Sequence, residues 1–150
     1  MIQLVFFYFL SNFIAAADVF ISPAIFSYHF EDKEKLNNDN YGIGLQFDLK
    51  KNLSVNLGQF KNSDYRNSNY LTSSYYFVSV SDYKFGVLIG GFDGYPNENS
   101  GNFFLAALPV INYKKKYFQL NFSYVPKINN HLKSAAMVQI LFPIYRSVRW

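Results

Sequence analysis

The chain has 150 residues, no cysteine, a formal charge of +4, and 30 Phe or Tyr residues against a single Trp. Half the residues are apolar and only 16% are charged, where an ordinary soluble domain carries about a quarter. This excludes a disordered chain, a disulfide scaffold and any Cys-ligated zinc or iron–sulfur site. Two histidines cannot build a His-rich metal centre, so no metal and no cofactor is expected.

Residues 1–14 are mostly apolar, and Ala15-Ala16-Ala17 follows before Asp18. A short apolar run ending in small residues reads as a cleavable secretory signal over 1–17. It is short of the roughly 20 apolar residues that span a bilayer as a helix. No Lys or Arg precedes Lys33, so the usual positive start is missing. A buried strand or a membrane-anchoring end is the other reading.

The body alternates with period two. Tyr41, Ile43, Leu45, Phe47 and Leu49 fall on odd positions, with Gly42, Gly44, Gln46 and Asp48 between them. Leu53-Ser54-Val55-Asn56-Leu57-Gly58 repeats the pattern, as does Phe118-Gln119-Leu120-Asn121-Phe122-Ser123-Tyr124 with the parity reversed. Strand side chains point to opposite faces in turn, so each segment has one greasy face and one small or polar face. Eight strands are expected, near 20–30, 40–50, 52–62, 69–81, 83–93, 102–113, 117–127 and 133–142. Turns near Lys50-Lys51, Ser81-Asp82 and Lys114-Lys115-Lys116 are tight. Connections near 31–40, 62–69, 93–101 and 127–133 are long and rich in Asn, Asp, Gly and Ser, apart from the last. An all-β, eight-stranded antiparallel up-and-down transmembrane barrel, inside-out with an apolar exterior, fits this pattern. A lipocalin-like barrel would invert it, burying Ile43, Leu45 and Phe47. That alternative leaves Gly42 and Gly44 facing water and little lumen for so many rings.

Pro23, Pro109 and Pro126 fall within expected strands. Proline cannot donate to a ladder, so it belongs at ends, edges or bulges. Pro109 and Pro126 lie on consecutive strands and can weaken one seam, either as a lateral opening for an acyl chain or as two strand ends.

Pro23-Ala24-Ile25 with Tyr28-His29 and Asp32-Lys33-Glu34-Lys35 resembles the start of the lipid A palmitoyltransferase (PagP) family. Phe60-Lys61-Asn62-Ser63, Leu108-Pro109-Val110, Phe118-Gln119, and Tyr124-Val125-Pro126 with Asn129-Asn130 resemble it in the same order. The resemblance covers most of 20–142 and is thin between 66 and 100. It implies an outer-membrane acyltransferase moving a palmitoyl-type chain from a phospholipid donor to lipid A or lipopolysaccharide. Carried over, His29 and Ser63 match the family's His and Ser, with His29 requiring a shortened first loop. Asn62 stands where the family has Asp. The resemblance also implies lateral lipid access at Pro23, Pro109 and Pro126. The family's N-terminal amphipathic helix has no counterpart, and residues 143–150 form an extension past its end.

In this reading His29 is the general base, Ser63 positions the acyl carbonyl or the acceptor, and the Asn62 amide donates to an oxyanion. The competing reading is a non-catalytic outer-membrane barrel with structural or binding loops, since the fold does not specify function. His131 reads as a solvated loop residue, Lys114-Lys115-Lys116 as a solvated turn, and Asp32–Lys35 as a loop that can meet lipid phosphates. No nucleic-acid partner is expected, and a monomer is.

Overall fold

The computed structural model describes residues 17–31, 35–127 and 133–147. Most of the expected signal segment, His131 and Asn129-Asn130 lie outside these residues. Eight strands form one closed antiparallel barrel in chain order: β1 (Asp18–His29), β2 (Asp39–Lys50), β3 (Leu53–Lys61), β4 (Asn67–Val80), β5 (Tyr83–Phe92), β6 (Phe104–Lys114), β7 (Gln119–Val125) and β8 (Ala135–Tyr145). Pairing of β1 with β8 closes the tube. The tight turns at 51–52, 81–82 and 115–118 define a turn end, and the long connections define a loop end. Two expected boundaries differ. Pro126 lies just past β7, and β8 continues through Pro143 to Tyr145, into the segment expected as an extension.

The faces are inside-out. Asn40, Gly44, Gln46 and Asp48 point into the lumen. Ile43 is 63% exposed, and Leu57, Leu71, Tyr75, Phe77, Val87 and Ile89 also face outward. This overturns the lipocalin-like alternative, which needed Ile43 in the centre. Gly44 and Gly58 are small because Tyr70 occupies the lumen beside them: a Cβ on Gly44 would stand 2.0 Å from the Tyr70 hydroxyl, and one on Gly58 2.8 Å.

The lumen is filled in two ways. Tyr76, Leu88, Leu108 and Val110 form an apolar cluster, joined by Phe92, Val125 and Met137. Elsewhere polar side chains join into a network. Gln46 Nε2 donates to Asp48 (2.7 Å), Asn121 Nδ2 to Gln46 (2.8 Å) and Gln139 (3.1 Å), Asn112 Nδ2 to Asn121 (2.7 Å), and Gln139 Nε2 to the Tyr70 hydroxyl (3.2 Å). Lys114 joins it at the turn end, 2.8 Å from Asp48 and 3.2 Å from Asp18. The charges and most of the amide groups there are tolerated because they partner one another, whereas Asn112 Oδ1 is buried without a hydrogen-bond partner among the described residues. Outside, Lys115 pairs with Asp82 between two turns, and that contact raises the ammonium's pKa above its ordinary value.

Two seams depart from regular pairing. Around Pro23 the register of β1 slips by one residue against β2 and against β8. Before it Phe20 and Ser22 point inward; after it Ser27 and His29 do, while Phe26 and Tyr28 are exposed. The bulge therefore flips strand parity and re-aims the end of β1. The second seam lies between β6 and β7. Their ladder runs from Lys114↔Gln119 to Val110↔Ser123 and stops beside Pro109. Phe104–Pro109 keep their β5 partners but have none in the β7 ladder. A proline has no N–H to extend that ladder.

Candidate active site

At the loop end the lumen holds a cavity of about 380 Å³. Ile25, Leu36, Phe60, Phe92, Leu108 and Met137 give it an apolar wall, and His29 and Ser63 stand on it. Leu105, Ala106, Ala107 and Leu108 all line it. These four alternate between the two faces of β6, and Leu105 is 75% exposed. The cavity thus reaches the barrel exterior along the stretch of β6 that lacks a β7 ladder. Pro109 marks the lower limit of this opening, and Pro126 follows the strand on its other side.

His29 is the last residue of β1 and only 4% exposed. Its Nε2 lies 2.9 Å from Ser63 Oγ and its Nδ1 2.8 Å from Asn38 Oδ1. An amide oxygen facing Nδ1 suits the neutral tautomer that carries its proton there, in which Nε2 accepts from the serine hydroxyl. Expecting His29 and Ser63 at one end of the barrel agrees with this contact. Asn38 was not singled out by sequence.

Ser63 follows β3 in a loop that Asn62 organises. Asn62 Oδ1 accepts from the backbone N–H groups of Asp64 and Arg66, both at 3.0 Å, and its Nδ2 donates to Gly94 O at 2.9 Å. Its backbone N–H donates to Arg66 O at 2.7 Å. The side chain expected to donate to an oxyanion thus spends its Oδ1 and one of its two Nδ2 hydrogens on loop backbone. A carboxylate at 62 would face the Gly94 carbonyl and lose that donor. Asp64 lines the cavity, so its neighbour position does not remove it from the site.

The first loop is fastened to the second. Asn37 N–H donates to Ser63 O (2.9 Å), Asn37 Nδ2 to Asn62 O (3.2 Å), and Asn40 Nδ2 to Lys61 O (2.8 Å). Ser27 Oγ donates to Asn40 Oδ1 (2.6 Å). These bonds join the residues that flank Asn38 to the segment leading into Ser63, and tie Ser27 of β1 to the same loop. In the third loop, Tyr95 lines the cavity, and desolvation followed by the Asp64 charge raises its phenol pKa above the usual range. At the rim, Glu31 pairs with Lys127 (3.0 Å) and Lys133 (3.8 Å), tying the first loop to the fourth. Among the described residues no cluster of His and carboxylates is arranged to hold a metal ion.

No family model matches the chain, and no curated protein matches it. The fold is similar to that of a de novo designed barrel, TMB2.3, solved by NMR, with TM-score 0.61 and 13% identity over 87% of this chain and 98% of that one. A second structure, from work on the de novo design of transmembrane β-barrels, gives 0.60 and 12% over 85% and 96%. The Yersinia pestis outer membrane protein Ail, in a phospholipid bilayer nanodisc, gives 0.51 and 14% over 86% and 99%. The chain has the fold of an eight-stranded transmembrane β-barrel.

Proposed function

We propose that this barrel is an outer-membrane acyltransferase of the PagP type, taking a fatty acyl chain from a phospholipid and transferring it to lipid A. The observation that carries this reading is the His29–Ser63 contact, set in the wall of an apolar cavity that reaches the exterior along the β6–β7 seam. The apolar exterior and the likeness to Ail support placement in a Gram-negative outer membrane, with segment 1–17 as the export signal. An acyl chain enters laterally between Pro109 and Pro126 and lies against Phe60, Phe92 and Leu108. His29 Nε2 takes the proton released during acyl transfer. Ser63 stands beside it at the ester. Asn62 acts on the reaction through the loop that carries Ser63. Pro23 contributes by turning His29 inward, beyond any role in lipid access.

Lipid A from Gram-negative cells expressing the chain should gain one acyl chain by mass spectrometry, relative to cells carrying an empty vector. Unchanged lipid A, with the folded barrel recovered in the outer membrane, would leave the non-catalytic structural or binding reading in its place.

A further inference from the structure

The geometry points to Ser63 as a nucleophile that carries the acyl group covalently, with His29 as its base and Asn38 as the residue that positions His29. This deepens the acyl-transfer reading and rests on it. A base that activates a serine must have one ring nitrogen free toward the hydroxyl and the other held by an acceptor. Here Nε2 is 2.9 Å from Ser63 Oγ and Nδ1 is 2.8 Å from Asn38 Oδ1. A triad with an amide as third member works by orientation, fixing the tautomer without adding a negative charge.

The scaffold suits that task. Asn38 lies between Asn37 and Asn40, whose side chains donate to Asn62 O and to Lys61 O, the two residues before Ser63. Asn38 O accepts from Ser27 N–H on β1, two residues before His29, at 2.9 Å. The three residues therefore come from segments bonded to one another, which limits their relative movement. Ser63 and His29 both face the cavity that would hold an acyl chain.

The reaction then has two halves. Ser63 Oγ attacks the carbonyl carbon of a donor ester, and its proton passes to His29 Nε2. The bond from that carbon to the glycerol oxygen breaks, and the oxygen leaves as an alcohol with the proton from Nε2. An acceptor hydroxyl next gives its proton to Nε2 and attacks the acyl-serine carbonyl. Ser63 Oγ departs and recovers the proton. No oxidant, reductant or further reagent is required.

A long-chain alkyl fluorophosphonate tests this, applied to the full chain folded in phosphatidylcholine vesicles. Serine attack on phosphorus expels fluoride and leaves a stable phosphonyl mass. One adduct per chain is expected, mapping to Ser63 and lost in Ser63→Ala. His29→Ala should slow labelling by about 100-fold or more. Asn38→Ala should slow it by more than about tenfold, with Asn38→Asp restoring the rate because it keeps an oxygen facing Nδ1. Loss of folding as the cause is checked by heat-modifiable gel mobility of each variant. No adduct on folded protein, or equal labelling of the His29→Ala variant, overturns the proposal. Lipid A that gains an acyl chain without any Ser63 adduct strikes the nucleophile alone. A Ser63 adduct with unchanged lipid A keeps the nucleophile and strikes lipid A as the acceptor.

Discussion

Replacing His29 by alanine is expected to lower acyl transfer by about 10²–10⁴-fold, the usual contribution of a positioned acid–base group. That range corresponds to roughly 3–5 kcal/mol of transition-state stabilisation. The size follows from the setting. His29 is buried, bonded on both nitrogens, and directed into the lumen by the register slip at Pro23. Asn62 organises the adjoining loop rather than approaching either ring nitrogen. Gel mobility before and after heating separates lost chemistry from lost folding. A comparison of lipid A acylation in cells with equal amounts of folded protein measures the effect. Full activity in the alanine variant would remove His29 from the reaction.

The largest stability effect is expected on the outer face. Leu71 is exposed, four residues into β4, paired with Leu57 at the centre of β3 on one side and Gly91 on the other. In water, arginine in its place would be nearly neutral. In a bilayer, arginine at midplane depth costs about 2–4 kcal/mol, falling to about 0–1 near the interface. Leu71→Arg should therefore destabilise the barrel by about 2–4 kcal/mol. Val80→Arg, at the turn end of the same strand, should cost about 0–1 kcal/mol. Reversible unfolding in vesicles measures both. Equal costs at the two positions would contradict a membrane belt centred near Leu71.

Much of the barrel was readable because period two is a local property. The run Tyr41 to Leu49 states its two faces without help from any other strand, and the structure puts Ile43 outside and Gln46 inside accordingly. Gly44 and Gly58 fell on the small, polar face of their runs, and in the structure Tyr70 occupies the lumen beside both. The site was harder. His29 and Ser63 could be placed at one end by counting strands. Whether His29 faced inward depended on a register slip that a proline suggests but does not locate. Asn38 was not legible at all, because its place depends on the path of a loop fixed by Asn37 and Asn40. The role of Asn62 was hidden for the same reason: its partners Gly94 and Arg66 come from loop geometry. Strand ends erred where proline stood near them, at Pro126 and Pro143.

Everything proposed for the cavity requires that hydrocarbon lie outside the wall and polar groups inside it. A nitroxide scan tests this directly, with single cysteines placed in turn from Tyr41 to Phe47 and the barrel folded in vesicles. Collision with oxygen dissolved in the bilayer should peak at 41, 43, 45 and 47 and drop at 42, 44 and 46. Peaks at the even positions, or no alternation along the strand, would contradict an inside-out barrel.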